Sequence, residues 1–217
     1  MNLNSEVIKL LPLCKGMKHF IDVGTGEPDS EAWVVKKLFP EADIIGMEPQ
    51  KSRYQDIKDK LPGTLIETAV WSSDGEITMY DLNPTRKPHK HLKDMAYSFP
   101  VEGSGEGYCV PCVCLDTIIY TNDMKSDICI WADIEGAELE VLRGAEKALK
   151  DGLITSIILE LRSVSPYKKT RWCTAGQVID FLKPMGYKMT KKTSSSFNKG
   201  VDNNKTFERY DALFQRI

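Results

Sequence analysis

Two short apolar runs in this chain end abruptly in acidic residues and glycine. Residues 19–23 lead into Gly24-Thr25-Gly26, with Asp22 near the end of the run, and residues 44–47 lead into Glu48. Each pattern is typical of a buried parallel strand that opens into a loop at its carboxyl end. The glycines would let the first loop turn tightly and bring backbone N–H groups close to a ligand.

The acid that ends the second run has the position of a ribose-binding residue. Glu48 follows Asp22 by about 25 residues, which is where an α/β nucleotide site places the carboxylate that accepts from ribose hydroxyls. Pro49 follows it at the same edge and is assigned to the same site. The alternatives are a tight strand-to-helix turn at Gly24 and a solvent-exposed acid at Glu48. We favour an adenosine site at two neighbouring strand ends.

A third apolar run predicts the far side of that site. Residues 64–70 are predicted to form a strand whose end, Ala69 and Val70, borders an adenine pocket. Ser73 and Asp74 follow in the sequence Ser-Ser-Asp-Gly. Asp74 could accept from the exocyclic amine of adenine, or could belong to a β-turn, and the residues alone leave both interpretations open.

Further acids follow two later strands and are candidates for the chemistry. Asp133 and Glu135 come directly after the buried strand predicted at 127–132, and Glu160 ends the strand predicted at 154–161. Acids at adjacent strand ends could act as a base and its orienting partner, or could bind a hard cation such as Mg²⁺. Alternatively, Glu135 serves a helix N-terminus and Glu160 pairs with Arg162.

Composition narrows the class of protein. The chain has 217 residues, a formal charge of −2 and a pI of about 6.0, so no general attraction to nucleic acid is expected. No apolar run approaches the roughly 20 residues that span a bilayer, and residues 1–15 lack a signal-peptide core. We therefore expect a cytoplasmic protein without a membrane span.

The cluster Cys109, Cys112 and Cys114 lacks a second ligand pair for zinc, which favours reduced core cysteines.

The order of elements predicts a doubly wound α/β sheet. Besides an N-terminal helix within 1–16, strands are predicted at 18–23, 43–47, 64–70, 76–81, 108–114, 127–132, 154–161, 186–190 and 207–214, and helices at 29–39, 50–60, 115–121, 136–150 and 174–184. The last two strands, joined by a flexible loop at 191–205, suggest an antiparallel hairpin. Residues 82–107 are predicted to form a long insertion or substrate loop, in which His89 and His91 are exposed rather than catalytic. On the helix at 136–150, Glu138 is predicted to face solvent.

Four segments in this order carry a family resemblance. Residues 20–26 resemble the first motif of class I S-adenosylmethionine-dependent methyltransferases. Residues 67–75 and 113–118, and above all 130–145 with the sequence Ile-Trp-Ala-Asp-Ile-Glu-Gly-Ala-Glu, resemble FkbM-type methyltransferases. The resemblance implies one Rossmann-like domain over residues 1–217, with a mostly parallel seven-stranded sheet, helices on both faces and a C-terminal antiparallel hairpin.

The resemblance also implies a function and a set of residues. It implies O-methylation of a hydroxyl on a sugar, glycan or natural-product-like small molecule, with S-adenosylmethionine as the cofactor and a homodimer as one possible assembly. The alternatives are a nitrogen or carboxylate acceptor, or a protein that binds the cofactor without transfer, since Pro28 stands where the family has a further glycine. The cofactor-binding residues would be Asp22, Gly24, Thr25, Gly26, Glu48, Pro49, Ala69, Val70, Ser73, Asp74 and Asp133. The catalytic residues would be Asp133, Glu160 and Glu135, with Mg²⁺ on Asp133 and Glu160 if an ion is used.

Overall fold

The computed structural model of the protein describes residues 6–26, 31–81, 98–99, 107–134, 136–163, 173–193, 199–202 and 205–217. Several predictions fall outside these ranges. They concern Glu135, Pro28, His89, His91, most of the insertion at 82–107 and the middle of the loop at 191–205.

The described elements follow the predicted alternation of strands and helices. In chain order they are β1 (His19–Val23), α1 (Glu31–Leu38), β2 (Asp43–Met47), α2 (Lys51–Ile57), β3 (Thr64–Ile66), β4 (Ala69–Val70), β5 (Gly75–Asp81), β6 (Ser98–Phe99), β7 (Gly107–Val113), α3 (Leu115–Thr121), β8 (Ile128–Ala132), α4 (Glu138–Arg143), α5 (Glu146–Asp151), β9 (Ile154–Arg162), α6 (Ala175–Leu182), β10 (Tyr187–Lys192), β11 (Lys199–Asp202) and β12 (Lys205–Arg216).

The main sheet has the order β10-β12-β9-β8-β1-β2-β3, and β11 pairs with β12 beside this path. The strands from β9 to β3 are parallel, whereas β12 runs antiparallel between β9 and β10. The prediction of a mostly parallel seven-stranded sheet with a C-terminal antiparallel hairpin is confirmed. Since parallel strands share one carboxyl edge, β1, β2, β3, β8 and β9 all deliver their last residues to the same side of the molecule.

Both faces of this sheet are covered, which explains its continuous apolar runs. On one face Phe20 and Trp131 pack with the apolar side of α1 and with the N-terminal segment. On the other face Ile21 and Ile130 pack with residues of α3 to α6. The central strand β8 is buried along its whole length. The prediction of helices on both faces is therefore confirmed.

The predicted strand at 64–70 divides into two strands of different sheets. Its first part, β3, pairs with β2, and its second part, β4, pairs with β7 in a separate four-stranded sheet of order β4-β7-β5-β6. The switch occurs at Thr68, whose hydroxyl donates to the carbonyls of Ala69 and Pro111, each at 3.1 Å. The prediction of one continuous strand was wrong, because the local sequence pattern does not report a hydrogen bond between segments that are 43 residues apart in the chain.

The predicted helix at 136–150 is likewise divided into α4 and α5. At the break, a side chain on Gly144 would begin 2.2 Å from the carbonyl oxygen of Trp71, so only glycine allows this approach. The amide of Asp116 donates to the Gly144 carbonyl at 2.7 Å. The second sheet therefore packs against the helical segment and divides it.

The N-terminal segment is less regular than predicted. Instead of one helix, its described part has two short 3₁₀ turns, Glu6–Lys9 and Leu11–Leu13, followed by the buried residue Cys14. Three further cysteines, Cys112, Cys129 and Cys173, are also buried. Among the described residues, no helix has the length and apolarity needed to cross a membrane.

Candidate cofactor cleft

A cleft opens at the carboxyl edge of the main sheet. Its floor comes from the ends of β1, β2 and β8, and one wall comes from the second sheet. The described residues that line it are Val23, Gly24, Met47, Glu48, Pro49, Gln50, Arg53, Thr68, Ala69, Val70, Trp71, Ile77, Met79, Asp133, Ile134 and Ala137. Of the residues predicted to bind a cofactor, six lie in this lining: Gly24, Glu48, Pro49, Ala69, Val70 and Asp133.

The glycine loop after β1 is held by its neighbours in the sheet. Gly24 has a φ of 83°, and a Cβ there would lie 2.9 Å from Cγ2 of Ile134. The amides of Gly24 and Thr25 both donate to the carbonyl of Met47 at 3.0 Å. We expected these N–H groups to face a ligand, but they join the loop to β2. Gly24 is required because the chain after β8 approaches it closely.

Asp22 lies beneath this loop and does not line the cleft. It is only 1% exposed, and its Oδ2 has no hydrogen-bond partner among the described residues. Burial, with repulsion from Glu31 and Glu48, raises the pKa of Asp22 to about 8. Thr25 is also buried, and its hydroxyl donates to the Asp22 carbonyl at 3.1 Å. Thr25 therefore braces the loop from within the fold.

Glu48 lines the cleft although it is almost completely buried. It is 4% exposed, and its Oε1 accepts from the amide of Gln50 at 2.7 Å. Burial raises its pKa to about 7, while the Gln50 bond and the nearby charge of Arg53 act in the opposite direction. The carboxylate retains capacity for further donors, because two carboxylate oxygens together accept about four hydrogen bonds.

Ser73 and Asp74 lie outside the lining, in the exposed turn between β4 and β5. Both oxygens of Asp74 are used at the start of α3: Oδ1 accepts from the amide of Cys114 at 2.7 Å, and Oδ2 from the hydroxyl of Thr117 at 2.8 Å. These bonds lower the pKa of Asp74. In the structure Asp74 therefore caps the start of α3 from outside the cleft lining, and its contact with adenine stays a prediction.

The second sheet supplies a wall that the sequence analysis missed. Trp71 follows β4, and Ile77 and Met79 project from the same side of β5 into the cleft. The alternation of Ile77 and Met79 was the available signal, since it marks one apolar face of a strand. What that face covers depends on the antiparallel pairing of β5 with β7.

At the other end of the cleft, Asp133 directly follows β8 and is exposed. The register pairs Ala132 with Leu159, so Asp133 and Glu160 are the next residues along two neighbouring parallel strands. Glu160 does not line the cleft. Its carboxylate forms an ion pair with Arg209 of β12. Asp211 faces Glu160 across the β9–β12 pair.

Asp211 is a further acid that the sequence analysis missed. Burial and the neighbouring charge of Glu160 raise its pKa to about 6. Its backbone amide donates to the hydroxyl of Thr193 at 3.0 Å. Nothing in the local sequence marks Asp211, because its neighbour Glu160 comes from a distant part of the chain.

Glu138 is buried at 2% exposure, so the prediction of a solvent-facing position was wrong. Its Oε1 accepts from the amide of Gly136 at 3.0 Å, and its Oε2 accepts from the thiol of Cys173 at 3.2 Å. The Cys173 amide donates to the Gly136 carbonyl at 3.1 Å. These three bonds fasten the chain after β8 to the start of α6, and burial raises the pKa of Glu138 to about 7.

The structure gives no support for a metal ion at this edge. Among the described residues, no group of three or more His, Cys, Asp or Glu side chains is arranged to hold one. The proposed Mg²⁺ ligands differ in their surroundings, since Glu160 is paired with Arg209 and Asp133 lies in the cleft lining.

Comparisons with known proteins agree with this arrangement. The model of the methyltransferase FkbM domain family matches residues 22–189, which include the cleft-lining ends of β1, β2 and β8. No curated protein matched the sequence of the chain.

Solved structures are similar to this chain at low sequence identity. A proposed rRNA methylase from Clostridium thermocellum is 11% identical, with a TM-score of 0.52 over 100% of both chains. A TehB-like S-adenosylmethionine-dependent methyltransferase from Corynebacterium glutamicum is 12% identical, with a TM-score of 0.48 over 99% of this chain and 89% of that chain. Aeropyrum pernix fibrillarin, solved with natively bound S-adenosylmethionine, is 11% identical, with a TM-score of 0.48 over 95% and 73% of the two chains.

Proposed function

This chain belongs to the FkbM methyltransferase family and is an S-adenosylmethionine-dependent methyltransferase; we propose that it methylates a hydroxyl oxygen on a sugar, a glycan or a natural-product-like small molecule. The observation that carries the choice of a hydroxyl is the position of Asp133. It is an exposed carboxylate in the cleft lining, at the end of the central strand. A neutral alcohol is a weak nucleophile, so a carboxylate that orients it and accepts its proton is the assistance it needs.

The residues of the cleft fit the cofactor. Glu48 presents a buried carboxylate to the two ribose hydroxyls, and the apolar wall of Trp71, Ile77 and Met79 suits an adenine ring. Oδ2 of Asp22, which has no hydrogen-bond partner in the described part of the chain, lies beneath the glycine loop, and a positively charged group nearby, such as the ammonium of the methionine portion, would stabilise the ionised carboxylate. When bound, S-adenosylmethionine supplies a methyl group on a positively charged sulfur.

The roles of the acids at the acceptor end follow from their partners. Asp133 is the proposed base, because it is exposed in the cleft. Glu160 is held by Arg209, so we assign it to orienting the neighbouring groups and not to taking a proton. Holding the acceptor oxygen in line for attack contributes up to roughly 7–11 kcal/mol in well-aligned reactions. Glu135, which lies outside the described residues, keeps its proposed role as an alternative catalytic acid.

The test is transfer of a labelled methyl group to a panel of acceptors. The panel contains reducing and non-reducing sugars, an amino sugar, a uronic acid and a polyhydroxylated aromatic compound. The product of transfer to a hydroxyl is an ether, which survives hydroxide, whereas a methyl ester is hydrolysed and a methylamine keeps a titratable nitrogen. Label that survives hydroxide, on a sugar without an amine or a carboxylate, is the expected result.

Two other outcomes would replace this proposal. Label that is released by hydroxide, or that depends on an amino group, would establish a carboxylate or nitrogen acceptor instead. Cofactor binding without transfer to any member of the panel would favour a binding protein, for which Pro28 in the glycine loop is the sequence feature to test. A Pro28→Gly variant that gains transfer would then identify the cause.

A further inference from the structure

Arg53 reaches from helix α2 to the glycine loop across the edge of the cleft. It lines the cleft, and its Nη1 lies 2.9 Å from the point where a Cβ on Gly26 would stand. Its charge also acts on Glu48, whose pKa it lowers against the effect of burial. The guanidinium therefore lies between two parts of the cleft that are separate in sequence, the loop after β1 and the acid after β2.

The charges of the cleft make this residue distinctive. Three described lining residues carry charge: Glu48, Asp133 and Arg53. Asp22 adds another acid beneath the glycine loop. The amino acid portion of S-adenosylmethionine carries both an ammonium and a carboxylate. The acids suit the ammonium and the ribose hydroxyls, but among the described lining residues only Arg53 suits the carboxylate.

The geometry of arginine strengthens this match. A guanidinium presents its donors as a planar fork, which pairs with a carboxylate through two parallel hydrogen bonds. A Cβ on Gly26 would stand 2.9 Å from Nη1 of Arg53, so this guanidinium lies directly beside the glycine loop.

We propose that Arg53 binds the α-carboxylate of S-adenosylmethionine and thereby holds the methionine portion over the glycine loop. This inference rests on the proposed use of the cleft for that cofactor. It adds a binding residue on α2 to the residues at the strand ends. It also gives the cleft a means of recognising the amino acid portion separately from the adenosine.

The experiment compares two probes that differ in this portion. S-adenosylhomocysteine contains the amino acid carboxylate, whereas 5′-methylthioadenosine keeps the adenosine and the sulfur but has no amino acid portion. Isothermal titration calorimetry measures the dissociation constant of each probe for the wild type, Arg53→Gln and Arg53→Lys. Lys51→Gln is the matched control, because Lys51 is an exposed cation on the same helix.

We expect Arg53→Gln to weaken the binding of S-adenosylhomocysteine about tenfold to a hundredfold, and the binding of 5′-methylthioadenosine less than about threefold. Arg53→Lys keeps the charge without the fork and should fall between wild type and Arg53→Gln. The control Lys51→Gln should leave the affinity for both probes unchanged. Thermal unfolding and circular dichroism of each variant establish that it is folded.

The other outcomes overturn the inference in distinguishable ways. Equal weakening of both probes would mean that Arg53 acts on Glu48 or on the loop, and not on a carboxylate. No weakening of either probe would remove Arg53 from the site. A folded wild type that binds neither probe would overturn the proposed cofactor cleft, and with it this inference.

Discussion

Carboxylates lie in or beside both ends of the cleft, but their surroundings differ. At the end formed by β1 and β2, Asp22 and Glu48 are 1% and 4% exposed, and burial raises their pKa values to about 8 and about 7. At the end formed by β8, Asp133 is exposed, whereas Glu160 of the neighbouring strand β9 lies outside the lining and is paired with Arg209. A buried acid gains most from a ligand that supplies donors or positive charge, whereas an exposed acid is accessible to an acceptor. We therefore propose that the first is the binding end of the cleft and the second its reacting end.

The largest effect should come from the reacting end. Asp133→Ala removes the proposed base, and we expect turnover to fall by about 10²–10⁴-fold while the affinity for S-adenosylmethionine stays within a few-fold of wild type. Steady-state kinetics and calorimetry on one preparation measure the two quantities. Glu146→Gln is the control, because Glu146 is an exposed acid of α5 that pairs with Lys150 and does not line the cleft. If the variant keeps its turnover, or loses both quantities together, the separation of the two ends is wrong.

The binding end should respond to Glu48. Glu48→Ala removes the proposed ribose acceptor and should weaken S-adenosylmethionine by about tenfold to a hundredfold. Glu48 binds in its ionised form, and its pKa is about 7 in the free protein. Wild-type affinity should therefore fall as the pH drops below 7.

Calorimetry of Glu48→Gln across pH 5.5–8.5 tests the origin of that dependence. The amide does not titrate, so the variant should lose most of the slope that wild type shows near pH 7. A variant with the full wild-type slope would assign the dependence to another group, of which Asp22 is the nearest with a raised pKa.

Asp22 should make the stability of the free protein depend on pH, and replacing it should reduce that dependence while weakening the binding of the cofactor. Its folded pKa of about 8 lies above its ordinary value of 3.8, so the folded state holds a proton that the unfolded state releases. Stability of the free protein should therefore decrease as the pH rises from about 4 to about 8. The side chain of Asp22→Asn cannot ionise. Between pH 5 and pH 8 we therefore expect the free energy of unfolding of this variant to fall by about 1–3 kcal/mol less than that of wild type.

Urea unfolding at pH 5 and pH 8 measures this difference. Asp43→Asn is the control, because the side chain of Asp43 on β2 is 79% exposed. Equal pH dependence in wild type and Asp22→Asn would show that Asp22 is ionised in the folded protein. The variant should also bind S-adenosylmethionine more weakly, since its amide offers no negative charge to the ammonium.

The smallest effect should come from Asp74, which lies outside the cleft lining. Asp74→Ala loses two hydrogen bonds at the start of α3 and should destabilise the protein by about 0.5–2 kcal/mol. Its affinity for S-adenosylmethionine should stay within about twofold of wild type, as should that of the control Glu76→Gln. A tenfold loss of affinity confined to Asp74→Ala would restore the predicted contact with adenine.

The sequence predicted the main sheet well because each of its strands is a local pattern. A parallel strand buried on both faces is a continuous apolar run, and its carboxyl end is marked by the first acid or glycine that follows. Asp133 and Glu48 were found in this way, and the structure brings both to one cleft. Their contacts with the cofactor and the acceptor stay predictions.

The errors share a different cause. Residues 64–70 are divided because the Thr68 hydroxyl bonds the carbonyl of Pro111, and residues 136–150 are divided because Gly144 meets the carbonyl of Trp71. Buried Glu138 accepts a hydrogen bond from the thiol of Cys173, which lies 35 residues further along the chain. Each of these contacts joins segments distant in sequence, so no local periodicity reports them.

The sequence alone thus determined the order of strands and helices, the strand ends that carry acids, and the family, because each depends on residues that are neighbours along the chain. Tertiary structure alone decided which acids are buried, which are paired, and which face the cleft. Burial and charge pairing depend on the segments that fold against a residue. The same carboxylate is therefore a helix cap at Asp74, an ion pair at Glu160 and a buried acceptor at Glu48.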